Sequence, residues 1–256
     1  MRTHFATMGT EVSIEAEGEL APARVAELRR AFDRVDRTFS LYRTESELSR
    51  IAAGALALTD ASDDVRSAYD AALSWRTRTR GAFTPHRPDG VLDLSGLVKA
   101  TAMAEAGVIL DRAIRFGELD SWRLGVGGDV LRSAAGVPAR VGIVDPLDLA
   151  RLLTVLQLGP ARLALATSGS AERGDHIWMR DRGDRAHDAA PDFVQVSVAA
   201  RDIVTADVLA TAIVSGGAEA LDEICEREDV DVLTVDRSGG MRATPGFAAA
   251  IEAARS

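Results

Sequence analysis

Cysteine is nearly absent: Cys225 is the only one in 256 residues. That excludes an intrachain disulfide and any thiolate-rich metal centre, and its place inside LDEICERE suits packing. Lysine is equally scarce, Lys99 being the single lysine among 30 Lys and Arg. Positive charge is outweighed as well, with a formal net charge of -9 and arginines dispersed among acids. Without a basic stripe interleaved with aromatics, nucleic acid is not an expected partner. Long apolar runs are also lacking. The start, MRTHFATMGTEV, has no basic segment leading into an apolar one, and no other stretch approaches membrane-spanning length. A cytoplasmic protein without membrane insertion is therefore expected. Repeats, linkers and low-complexity tracts are missing too, so one domain over residues 1–256 is the simplest organisation, its core supplied by a 46% hydrophobic share.

What is present is organised around Asp93 to Glu105, DLSGLVKATAMAE. An acid and a Ser95-Gly96 turn precede Lys99, which is expected to open an alanine-rich helix. A lysine is a compact point charge and an arginine a broad planar fork, so a lone lysine beside a helix entry suits an anion held by backbone N–H groups. Chance survival of one lysine explains the position equally well.

Upstream, Val12, Ile14 and Ala16 alternate as a strand behind a Met8-Gly9-Thr10 bend. Val25, Leu28, Phe32, Val35 and Phe39 recur at helical spacing after Pro22. Thr44 and Glu47 have capping-box spacing for a short helix closed by Gly54. Tyr42 lies in the connection, where a ring covers either ligand or core, core being the commoner role. ALALTD reads as a short strand before a helix with Val65, Ala68, Tyr69, Ala72 and Trp75 inward, stopped by Gly81.

The second half is strand-rich, in WRLGVGGDVLRS, ARVGIVDP, RLLTVLQL, ARLALATSG, FVQVSVAA and VDVLTVD. Gly127-Gly128-Asp129 is a hairpin turn or a backbone approached closely by a ligand. Thr167-Ser168-Gly169 ends a buried strand with hydroxyls able to serve phosphate oxygens. Arg173 and His176 fall in a polar, turn-prone segment, where His176 is either half-buried or catalytic. Asp207 and Thr211, four apart on a helix opening near Thr205, share one face. They suit a hard cation such as magnesium, or an acid stabilising the helix dipole. A further helix follows in AEALDEICER, then a Ser238-Gly239-Gly240 turn and a tail.

In combination and in order, MGTEV, SLYRTESEL, DLSGLVKATAMAE, VGGDVL, ATSGSAERGDHI and TADVLATA resemble the ApbE family, the FAD:protein FMN transferases, from Thr7 to Gly217. The resemblance implies an α+β fold of ApbE-like, T-fold-related architecture. Mixed or antiparallel sheets and packed helices would form an FAD cleft between subregions. It implies magnesium-dependent transfer of FMN from FAD to a threonine hydroxyl of a partner flavoprotein, releasing AMP. By position, the metal would be held by Asp207, Thr211 and the main-chain carbonyl of Val98. Tyr42 would lie against the flavin, and Met8, Asp93, Lys99, Gly128, Asp129, Ser168, Arg173 and His176 would line the site. In the catalytic set of His176, Lys99 and Asp207, Lys99 would supply positive charge, aided by Arg173 of the lining, His176 would accept the threonine proton, and Asp207 would be occupied by metal.

Some positions depart from the family pattern. Ala100-Thr101 follow the lysine, Ala104 stands where an acid is usual with Glu105 beside it, Ile51-Ala52 stand where an asparagine is usual after the SEL segment, and HIWMRDRG lacks the usual Asp-Pro pair. The same chemistry with water as acceptor would make an FAD pyrophosphatase yielding FMN and AMP. Loss of partner recognition would leave a noncatalytic FAD carrier.

Overall fold

Two successive positive φ angles, 50° at Met8 and 69° at Gly9, close the first hairpin. The computed structural model describes residues 1–169 and 192–255. Strands β1 (Arg2–Thr7) and β2 (Thr10–Gly18) are antiparallel with Thr7 opposite Thr10. Met8 and Gly9 thus form a two-residue connection whose twist matches that of the strands. The sequence predicted β2 and the bend but not β1, where Phe5 alone is buried.

The chain divides into two compact units, Met1–Trp75 with Thr84–Gly136, and Arg76–Phe83 with Val137–Ser256. In the first, β1, β2, β3 (Leu119–Val126) and β4 (Asp129–Arg132) form an antiparallel meander. Helix α1 (Pro22–Phe39) starts on a proline, which loses no hydrogen bond at that position. Its inner stripe is Leu28, Ala31, Phe32 and Val35, so the expected Val25 and Phe39 lie only at its margins. That stripe packs against α4 (Ser95–Arg115). Fully burying a side chain such as Phe32 or Leu28 contributes about 1.5–3 kcal/mol.

Helix α2 (Glu47–Ala52) is capped by Ser46, whose Oγ accepts from the Ser49 N–H at 3.0 Å, and not by Thr44. Glu47 instead accepts from the Ser62 N–H at 2.7 Å. ALALTD yields a 3-10 turn, Leu58–Asp60, where a strand was expected. Helix α3 (Asp63–Arg78) follows, and the chain turns beyond it at Gly81, φ 83°. Helix α4 opens at Ser95, so Lys99 sits more than a turn inside it rather than at its entry.

In the second unit, β5 (Ala139–Asp145) and β6 (Asp148–Leu158) form their own hairpin. Strands β7 (Ala164–Gly169), β8 (Phe193–Ala200), β9 (Asp231–Asp236) and β10 (Met241–Ala243) pair antiparallel in chain order. Helix α5 (Ile203–Arg227) packs on β7 and β8 and is capped by Asp202 through the Thr205 N–H at 2.8 Å. Its 25 residues are long and apolar enough to cross a membrane, contrary to expectation, but most of that stretch is buried inside the protein. Gly217, at φ 65° and ψ -151°, breaks α5 where the sequence predicted two separate helices. The Asp192 carboxylate accepts from the Ala218 N–H beyond the break.

The segment Arg76–Phe83 belongs to this unit through Arg78 and Arg80, paired with Glu228 and Glu223, and through Ala82 against Gly216. Beyond Gly240 the expected tail is instead β10 and helix α6 (Pro245–Ala253), which packs against β6 and β9.

Candidate functional site

In the first unit, the Lys99 Nζ pairs with Asp129 Oδ2, the two side chains being 8% and 0% exposed. Asp129 stands opposite Val126 and closes the Gly127-Gly128 connection, with φ 59° at Gly127, so the Gly-Gly-Asp segment is a hairpin turn. Asp93 acts locally as well, its Oδ1 accepting from the Ser95 N–H at 2.9 Å and so ordering the entry of α4. Val98, expected to lend its carbonyl, is buried on α4.

Met8, Gly9 and Thr10 line an open groove of about 700 Å³ together with Asp33, Asp36 and Arg43. Arg43 Nε reaches Asp36 Oδ2 at 2.6 Å. Thr7 Oγ1, also on the groove, is buried and meets no hydrogen-bond partner among the described residues. Sequence reasoning missed Thr7, Asp36 and Arg43. The signals were the residue before the MGTEV segment and the arginine after Tyr42. Tyr42 itself is 86% exposed, which overturns the core-packing expectation.

In the second unit, Ser168 on β7 and Thr211 on α5 bring their hydroxyls to 3.2 Å. Asp207 lies one helical turn before Thr211 and is 4% exposed. On the opposite face of the sheet, the Thr167 and Ser197 hydroxyls meet at 2.9 Å across β7 and β8. Two hydroxyls thus meet on one strand–helix contact, and a buried carboxylate lies four residues before one of them on the same helix, all oxygen donors. Among the described residues no group of three or more His, Cys, Asp or Glu could hold a metal. Arg173 and His176 lie outside the described residues.

Comparison with protein families places a match over residues 8–88 and 85–234, described as the ApbE family. The chain belongs to the ApbE family. A search of curated proteins finds no match. Among solved structures, the fold is shared with an ApbE protein from Thermotoga maritima at TM-score 0.76, 18% identity and coverage of 98% of this chain and 99% of that one. Flavinyl transferase ApbE of Pseudomonas stutzeri, in apo form, gives 0.74, 19%, and coverage of 99% and 97%. Flavin transferase ApbE of Vibrio cholerae gives 0.69, 21%, and 97% and 98%.

Within this ApbE-family fold, the departures after Lys99 acquire positions. Glu105 is paired with Arg34 of α1 at 2.5 Å, so its carboxylate ties two helices together. The adjoining Ala104 is half-buried. Ile51 and Ala52 form the end of α2.

Proposed function

We propose that this ApbE-family protein transfers the FMN half of FAD to a threonine hydroxyl of a partner flavoprotein, with magnesium, releasing AMP. Supporting this are the family match over most of the chain and the names of relatives that share its fold, flavin and flavinyl transferases. The observation that carries the reading is the oxygen cluster of Ser168, Asp207 and Thr211.

That donor set fits magnesium, which takes oxygen ligands and leaves positions for waters and substrate phosphates. Asp207 and Thr211 would hold it, and Ser168 would orient the Thr211 hydroxyl by the 3.2 Å contact. When bound, the ion neutralises charge developing on the phosphoryl oxygens. In the reaction, the acceptor threonine Oγ bonds to the phosphorus on the FMN side, the bond to the AMP oxygen breaks, and AMP departs with that electron pair. The hydroxyl proton needs an acceptor, for which His176 is the candidate.

The test uses FAD, magnesium and a flavoprotein with an acceptor threonine. Expected are covalent, acid-stable flavin fluorescence on the acceptor and AMP in equal amount. AMP without an acceptor would replace this reading by hydrolysis, and bound FAD without AMP in any mixture would replace it by a carrier. Asp207→Asn should abolish turnover and the rise in melting temperature that magnesium gives the wild type. At a hundredfold excess over its Kd, a bound ion is worth about 2.7 kcal/mol. An unchanged magnesium response in the variant would remove Asp207 from the metal site.

A further inference from the structure

We infer that Lys99 is a positioning residue: its ammonium locks α4 to the β3–β4 hairpin through Asp129, and does not hold the pyrophosphate of FAD. The inference rests on the FAD reading above.

Burial comes first. The Asp129 side chain is fully removed from solvent and that of Lys99 nearly so. A charge in such a place persists only beside its counter-charge, because desolvation costs several kcal/mol per ion. The pair it forms is neutral as a whole, so it offers little net field to a distant anion. The placement of Asp129 is also specific. It is the first residue of β4 and sets the register of the Gly127-Gly128 connection against Val126. The same helix approaches the same hairpin closely at Gly107, where a Cβ would come within 3.1 Å of Leu131 and 3.2 Å of Trp122. α4 is therefore fixed to β3 and β4 at two levels, by missing bulk at Gly107 and by charge at Lys99. This accounts for a lysine in a chain that otherwise uses arginine. A compact ammonium fits a closed space against one carboxylate, whereas a guanidinium needs room for its planar fork.

Two readouts separate a lock from an anion site. Riboflavin lacks the phosphates that FAD carries, so a lysine on the pyrophosphate would favour FAD selectively. Flavin-fluorescence titrations of wild type and Lys99→Met should give FAD-to-riboflavin affinity ratios that agree within about twofold. A Lys99→Met variant that loses about tenfold more affinity for FAD than for riboflavin would overturn the inference. In thermal melts, Lys99→Met and Asp129→Leu should each lower Tm, and the double variant should recover most of the loss because no lone buried charge remains. If a single variant does not fold, the double variant still decides. Folding with a Tm above both single variants supports the lock, and a double variant that melts at or below either of them, or does not fold, refutes it. Wild type that binds neither flavin would sink the proposed function while the melts still decide the lock.

Discussion

Replacing Gly217 by alanine tests whether the break in α5 is imposed by backbone conformation. At φ 65° and ψ -151° the residue occupies a region that only glycine enters without strain. A Cβ there costs on the order of 1–3 kcal/mol, which for a chain of this size lowers Tm by about 2–12 °C. Gly216 is the control, because its problem is space. A Cβ there would lie 2.4 Å from the Ala220 Cβ and 3.0 Å from the Ala82 Cβ. Such overpacking costs about 1–3 kcal/mol, similar in size but different in origin. Removing the opposing methyl with Ala220→Gly should therefore offset part of the Gly216→Ala loss and none of the Gly217→Ala loss. Circular-dichroism melts of the three single variants and two doubles measure this. A Gly217→Ala protein melting within about 1 °C of wild type, or equal rescue of both alanine variants, would refute the conformational origin of the break.

Two further outcomes follow from local contacts. Ser46→Ala should cost about 0.5–2 kcal/mol in urea denaturation because it removes the cap of α2, whereas Thr44→Ala should stay within about 0.5 kcal/mol. Asp229, hydrogen-bonded to Arg162, and Asp236, hydrogen-bonded first to the Ser238 hydroxyl and then to the Gly240 and Ser238 amides, both titrate below the ordinary 3.8. A carboxyl depressed by folding stabilises above its unfolded pKa and loses that contribution as pH falls through the folded one. Asp229→Asn and Asp236→Asn should thus flatten the fall of the urea midpoint below 3.8. An unaltered acid limb would contradict the assigned contacts.

The long helices were legible because their apolar residues recur at three and four, and the second-half strands because turn residues punctuate them. β1 was not, since RTHFAT buries only Phe5 and so carries little alternation. The helix at Pro245 was missed because PGFAAAIEA buries only Phe247, which leaves no stripe to detect. For the site, sequence position identified Ser168 and Thr211 separately. Their 3.2 Å contact spans 43 residues and depends on how α5 lies on β7, which no local periodicity encodes. Lys99 shows the same gap: its rarity was visible, but its commitment to Asp129 depends on the packing of α4 against a hairpin. For Tyr42 the preference for core packing over a ligand-covering role failed because aromatics are usually packing residues, whereas this ring stands exposed in a loop.

Segment Arg76–Phe83 has a consequence for biosynthesis. Its eight residues belong to the second unit, although the remainder of that unit begins only at Val137. They leave the ribosome first and then wait for Gly216, Glu223 and Glu228, their partners on α5 and just after it. From Phe83 to Glu228 is about 145 residues, roughly 7–30 s of translation at ordinary rates. Thr79, Ala82 and Phe83, all buried in the finished protein, must stay unaggregated through that interval. A gene cut at Val137 would likewise express the second unit without one of its own inner segments, so the two units are divisible in space but not in the message.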